Sequence, residues 1–276
     1  MMETPFRISV LAAAGVLVLA SGCAPSGGPE PDDTAAGVES SDWSPPPLTD
    51  AESDLPDPVA VVRRAAEFMR SQPELLMEAM VTFGAPQESG QMLHFDVLER
   101  LAVRRPDKLA WVTLNDDGTV DRGWLSDGEF TLLKQPLNMW GSVSVPRAIP
   151  EAVDRLVGEY DLDVPFEDLL AVDPAERWIG EGATSVEYIG EEWVHGLWTD
   201  HVAMRKPGFD LEMWIRRGIE PFPAKIMVVL TAEEGTPSYV ARFRRWSTSL
   251  PDGDATFEFT PPADAQRVDV APVVQP

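Results

Sequence analysis

The sequence predicts an α+β domain: a strongly curved antiparallel sheet of about eleven strands, open like a half-barrel and covered by helices. Three observations carry this. Apolar residues alternate with a period of two over most of the chain after Pro73, helical spacing is confined to two places, and turn signals cut the rest into short strands.

Asp57-Pro58 opens the first helix, with an oxygen acceptor at the cap and a proline pre-set for the first turn. Val59, Val62, Ala66 and Met69 fall on one face, so the helix runs to about Ser71. Leu75, Met77, Ala79, Val81 and Phe83 then alternate as a half-buried strand. Leu93, Phe95 and Val97 do the same against Met92, His94 and Asp96. Shorter strands are expected at 109–115, 120–126, 129–135 and 138–145, with "NDDG" and "SDG" as hairpin turns. Helical spacing returns over 151–160, where Val153, Leu156, Val157 and Tyr160 share a face. "VPFEDLL" and "DPAERW" add two short helical pieces. The remainder predicts a meander at 184–193, 197–205, 209–216, 223–232 and 238–247, with a short last strand at 256–260.

Alternation gives the sheet an apolar side. Leu211, Met213 and Ile215 oppose Glu212, Trp214 and Arg216; Ile226, Val228 and Leu230 oppose Lys225 and Met227; Tyr239, Ala241 and Phe243 oppose Arg242 and Arg244. Met77, Leu93, Phe95, Leu211, Met213, Ile226, Val228, Tyr239 and Phe243 are therefore the candidates for lining a hydrophobic cavity beneath the helices. Alternatively, that space is packed solid by the protein's own side chains.

The amino-terminal part reads differently. Ile8–Ala20 is an uncharged run of 13 residues, the length of a signal-peptide core and short of the roughly 20 apolar residues of a membrane span. Residues 1–22 are expected to be an export signal. Leu19-Ala20-Ser21-Gly22-Cys23 resembles the lipobox of bacterial lipoproteins, which implies lipid attachment at Cys23. Cys23 is the single cysteine of the chain, and a free thiol in an oxidising compartment is a liability that acylation removes. The alternative is an ordinary secreted protein with a stray thiol. Ala24 follows the cysteine; an Asp there would imply inner-membrane retention, so the outer membrane, facing the periplasm, is the expected site. Residues 24–57 carry nine acidic residues and no basic one, with abundant Pro, Gly and Ser. They predict, with Cys23, a disordered tether over 23–57, leaving a folded domain at 58–266 and a tail at 267–276.

A formal charge of −24 makes nucleic acid an improbable partner, because phosphate affinity comes from Lys and Arg. Little points to catalysis. In "EEWVHGLWTDH", Glu191, Glu192, His195, Asp200 and His201 offer donors without a recognised metal spacing. "NDDGTVD" lacks two essential oxygen donors of a calcium loop, since Thr113 and Trp124 would hold its first and twelfth positions. The chain has neither a nucleophile elbow nor a phosphate loop. No cofactor, no metal and no enzymatic activity are expected. Among the nine tryptophans, Trp111, Trp124, Trp140, Trp198, Trp214 and Trp246 lie in or beside strands, where aromatic residues fill cores or grip a ligand.

"VRRPDKL", "GEYDLDVPFEDLL", "HVAMRKPGFDLEMWI", "PFPAKIMV" and "FEFTPPADA" resemble, in this order, an uncharacterised family of predicted periplasmic proteins, domain-of-unknown-function family 2092. That family is similar in turn to the superfamily of the lipoprotein-localisation factors LolA and LolB and of the mycobacterial lipoprotein LppX. The resemblance implies a LolA-like fold, with an open barrel lidded by helices, and acyl chains as the ligand class. It implies no individual contact residue. The expected function is thus an envelope lipoprotein, anchored through Cys23, that binds a lipid, an acyl chain or a lipidated partner. The alternative is a structural or sensory module with a filled core that docks an unknown partner protein.

Overall fold

The computed structural model describes residues 55–180 and 182–273. The expected signal, Cys23 and most of the tether lie outside them. In chain order the elements are α1 (Pro58–Ser71), β1 (Glu74–Pro86), β2 (Met92–Arg104), β3 (Lys108–Asn115), β4 (Val120–Ser126), β5 (Glu129–Lys134) and β6 (Met139–Ser144). The helical insert follows, with α2 (Ile149–Tyr160), α3 (Glu167–Leu170) and α4 (Pro174–Ile179). Then come β7 (Ser185–Val194), β8 (Leu197–Lys206), β9 (Phe209–Arg216), β10 (Pro223–Val229), β11 (Ser238–Ser247) and β12 (Gln266–Arg267).

The helix starts follow the Asp-Pro pairs. Asp57 Oδ1 accepts from the Val59 amide at 3.0 Å, and Asp173 Oδ1 accepts from Glu176 at 3.1 Å, so each cap satisfies an amide that the helix leaves free. Strands form one 12-stranded sheet in the order β12-β6-β5-β4-β3-β2-β1-β11-β10-β9-β8-β7. Every pair is antiparallel except β12 with β6. The sheet is curved and does not close, which gives the expected α+β class.

Register carries the apolar side across the strands. Val97, Val81, Ala241, Ile226, Met213 and Val202 form one row over six strands; Phe95, Phe83, Tyr239, Val228, Leu211 and Met204 form the next. Helix α1 lays Val61, Val62, Ala65, Ala66 and Met69 on this face, and α2 adds Ile149, Ala152, Val153 and Leu156 to the same core. Burying each large aliphatic side chain contributes about 1.5–3 kcal/mol, so these rows hold the sheet and the helices together. Polar ties fix the covering helices: Arg64 of α1 reaches Asp200 of β8 at 3.0 Å, and Lys206 of β8 donates to the Arg177 carbonyl of α4 at 3.0 Å.

One expectation is corrected. The strand expected at 256–260 is instead a 3₁₀ turn at Gly253–Phe257. Phe257 packs with Leu76, Ala102, Ala110 and Leu250 on the other face of the sheet, while Phe259 meets Trp124 and Trp140 at 4.9 and 5.2 Å. The segment is a strap over the outer face, so its alternating aromatics pack downwards without a ladder. The boundary expected at 266 falls inside β12, and the Val268 amide goes on to donate to the Trp140 carbonyl at 2.8 Å.

Candidate functional site: an arginine-rimmed cleft at one end of the sheet

The nine cavity candidates divide. Met77, Leu211, Met213, Val228 and Phe243 are buried in the main core, and Ile226 and Tyr239 pack against it. Leu93 and Phe95 are partly buried towards the far end of β2, where Phe95 stacks with Phe83 at 5.7 Å. On this face the space is taken: Val62 and Ala65 of α1 and Met213, Ala241 and Val202 of the sheet have no exposed surface.

An opening lies where the strands end. The turns 194–197 and 217–222 and the end of β11 come to one edge, because β7, β9 and β11 finish there and β8 and β10 begin there. Two irregularities in the ladder fall at this edge. β11 carries an extra residue opposite Glu78/Ala79, and the β9–β10 register shifts between Pro223 and Lys225. A bulge bends its strand and re-aims the side chains beyond it. Simple alternation from Phe243 would point Arg245 inwards; with the bulge, Arg244 and Arg245 are both exposed and Trp246 turns back to Phe243, at 4.8 Å. Phe222 stacks on Trp246 at 4.6 Å and meets Phe68 of α1 edge-on at 5.0 Å. The Trp246 indole N–H donates to the Pro223 carbonyl at 2.8 Å, which fixes the ring.

The resulting cleft measures 360 Å³, at the small end of ligand sites, which run about 300–1,000 Å³. Phe222, Pro223, Ala224, Phe243 and Trp246 supply apolar wall; Arg216, Arg244, Arg245, Ser247 and Thr248 supply donors. Arg216 is engaged by Glu220 at 2.8 Å. The side chains of Arg244 and Arg245 meet no carboxylate among the described residues, and Glu78, opposite Arg245, is taken by Arg100 at 2.6 Å. The cleft therefore combines an aromatic wall with two exposed arginines among its lining residues. Such a site suits an anion with an apolar body. Of the nine cavity candidates, Phe243 lines it. Sequence reading missed Arg244, Arg245, Phe222 and Trp246 as a group, because the bulge that gathers them leaves no trace in the alternation.

The inner face also holds a group the apolar pattern does not announce. Glu99 stands between Val97 and Leu101 on β2, beside Thr113 and Ala79 in the register. Its Oε2 is sealed from solvent without a hydrogen-bond partner. Burial, reinforced by the charge of Asp163, pushes its carboxyl up to about 8. Around the α2–α3 connection, burial likewise raises Asp163 to about 6, Glu167 to about 7 and Asp168 to about 6; the charges of Arg177 and Lys206 work against the rise at Asp168. Burial also raises the Tyr239 phenol well above its ordinary value. The described residues contain no group of three or more side chains placed to hold a metal ion.

The histidine-containing segment resolves into two unrelated parts. His201 lies on the outer face, with Glu192 at 2.8 Å from Nδ1 and Glu212 at 2.9 Å from Nε2, stacked on Trp214 at 4.1 Å. Asp200 points the other way, to Arg64 and the Tyr188 hydroxyl. His195 occupies a turn with φ of 49°. In "NDDG", the Thr119 amide donates to Asp117 Oδ1 at 2.8 Å and the Gly118 amide to the Asn115 carbonyl at 3.0 Å, closing a tight turn.

No curated protein matches the chain in sequence. Partial structural likenesses extend over most of its length. One is an uncharacterised conserved protein from Thermus thermophilus, with 13% identity, coverage of 76% of this chain and 97% of that one, and a TM-score of 0.45. Another is the Mycobacterium tuberculosis lipoprotein LppX, with 11% identity, coverage of 70% and 96%, and a TM-score of 0.43. A third is a LolA superfamily protein from Nitrosomonas europaea, with 8% identity, coverage of 72% and 96%, and a TM-score of 0.36. The family model described as predicted periplasmic protein (DUF2092) matches residues 59–271, and the chain belongs to that family.

Proposed function

We propose that this chain is a non-enzymatic binding module of the cell envelope, anchored by acylation of Cys23, that takes an anionic lipid or acyl chain in the cleft at the end of its sheet. The observation that carries this is the pair of exposed arginines, Arg244 and Arg245, which meet no carboxylate among the described residues and line one cleft with Phe222, Phe243 and Trp246. The cleft's volume suits one chain rather than a whole diacyl lipid. Hydrogen bonds from guanidinium to phosphate or carboxylate hold the head, and the rings shed water onto the chain. The middle of the inner face, packed by α1, serves as core in this reading.

The same packing favours a second reading, a docking module for a partner protein. Native mass spectrometry of the mature chain, purified from envelopes, separates the two. Lipid binding predicts a lipid adduct on the Cys23→Ser chain that organic extraction removes; a chain without adduct that also fails to bind a fluorescent fatty acid leaves the docking module. The anchor is tested by fractionation. Cys23→Ser should lose lipid labelling and leave the membrane fraction, since several acyl chains at ~0.8 kcal/mol per buried methylene hold a protein that one chain would not. A variant that stays membrane-bound with undiminished labelling contradicts it.

A further inference from the structure

We infer that the end of the sheet around the cleft docks on a phospholipid bilayer containing anionic lipid. The inference stands whether or not the cleft holds a ligand. It starts from where large apolar side chains meet solvent. Ile219 is 92% exposed, Trp193 60%, Trp198 55% and Leu197 37%. All four lie in or beside the turns 194–197 and 217–222. Leu55, Leu114, Leu137, Val172, Ile189 and Val273 are also exposed but lie outside these two turns, scattered along the chain.

The four form one surface. Trp193 and Trp198 are cross-strand partners, ring to ring at 5.3 Å in an edge-on arrangement. The Arg217 amide donates to the Trp198 carbonyl at 2.9 Å, which lays the Ile219 turn beside the pair. Leu197 joins this rim to the cleft. Exposed aromatic and aliphatic tips are costly in water, and tryptophan in particular partitions to the headgroup level of a bilayer.

Charge selects the kind of bilayer. The chain as a whole is at −24, which opposes an anionic surface. At this end, however, arginines engage several of the nearby acids, Glu191 by Arg217, Glu220 by Arg216 and Glu78 by Arg100, while Glu192 is held by His201 and Trp214. Arg244 and Arg245 remain as surplus positive charge beside the apolar rim. Screening protects that local sign. β1 has 13 residues and spans about 40 Å at ~3.3 Å each, several times the Debye length of about 8 Å at physiological salt. Acids at the opposite end of the strands are therefore largely invisible to a surface touching this one.

The test uses the mature chain with Cys23→Ser, so that no acyl anchor contributes. It is mixed with phosphatidylglycerol-containing vesicles and with pure phosphatidylcholine vesicles, and binding is read by co-sedimentation and tryptophan emission. The expected result is preferential binding to the anionic vesicles with a blue shift, weakened by salt. Trp193→Ser/Trp198→Ser/Ile219→Ser should reduce that binding about ten-fold or more while melting temperature and fatty-acid binding stay as in the parent. Arg244→Gln/Arg245→Gln should erase the preference for anionic lipid. Failure of the parent chain to bind anionic vesicles, or parental binding by the triple variant, overturns the inference. Loss of fatty-acid binding with vesicle binding intact would count against the cleft reading alone.

Discussion

The middle of the inner face and the end of the sheet are made by the same strands, yet they end up with opposite character. In the middle, register is unbroken, apolar residues align across β2, β1, β11, β10, β9 and β8, and residues of all four helices join them in one core. At the end, the β11 bulge leaves Arg244 and Arg245 both exposed, the β9–β10 register shifts beside it, and a cleft lined by arginines replaces the packed row. Regular alternation builds a core, and its interruption opens a cleft. The protein's net charge of −24 makes the contrast sharper, because the exposed guanidinium groups sit where a bulge, and not the overall composition, put them.

The largest expected effect breaks the packed side of this contrast. Met213 is fully buried in the row shared with Ala241 and Val202, so Met213→Ala should cost about 2–5 kcal/mol in denaturant unfolding through lost burial and the cavity left behind. A loss below about 1 kcal/mol would mean that the middle is loosely filled after all.

An intermediate effect concerns pH. Glu99, Asp163, Glu167 and Asp168 all have carboxyls raised in the folded protein, to between about 6 and about 8. The folded state therefore holds protons that the unfolded chain releases near pH 4. The stability tied to those protons is complete below about pH 4 and is lost as pH rises through 6 to 8, with Glu99 the last to ionise. Carboxylates whose values are lowered, such as Glu192, held by Trp214 and His201, act in the opposite sense and only in acid. Glu99→Gln should flatten this slope, leaving stability near that of the parent at about pH 4 and raising it by up to a few kcal/mol at pH 8.5. Parallel pH profiles for the two chains would show that Glu99 is not buried as described.

The smallest effect falls on the open side. Arg244 and Arg245 are exposed and have no carboxylate partner among the described residues, so Arg244→Glu/Arg245→Glu should change folding stability by no more than about 0.5 kcal/mol per site. A loss of several kcal/mol would reveal a structural role for these side chains.

The two regions are also unequally legible. Positions such as Leu211, Met213, Val228 and Tyr239 fall on one face from period-two spacing alone, and Asp57-Pro58 and Asp173-Pro174 mark helix starts that the caps explain. Reading fails where physics overrides the pattern. β2 carries Glu99 inwards between Val97 and Leu101, where burial pushes its carboxyl up to about 8, and period-two spacing does not announce an acid on the apolar side. Phe257 and Phe259 alternate as strand residues do, but Pro261 and Pro262 follow, and the segment packs as a strap. The cleft depends on a bulge and on contacts between residues far apart in sequence, such as Phe68 with Phe222, which local spacing does not encode. Cys23 and residues 24–54 of the expected tether lie outside the described residues.

The central claim is that ligand binds at the end of the sheet and not within its middle. Titration of a fluorescent long-chain fatty acid into three chains tests it most directly: the parent, Val228→Phe and Arg244→Glu/Arg245→Glu. Val228 is buried in the packed row, so added volume there should cost about 1–3 kcal/mol of stability and, well below the melting temperature, leave probe affinity unchanged. The arginine pair should behave in reverse, keeping parental stability while losing about ten-fold or more in affinity, as expected when two charge-assisted contacts become repulsive. Loss of probe binding in Val228→Phe with no change in stability, together with parental affinity in the arginine variant, would place the ligand in the middle of the sheet and contradict the account.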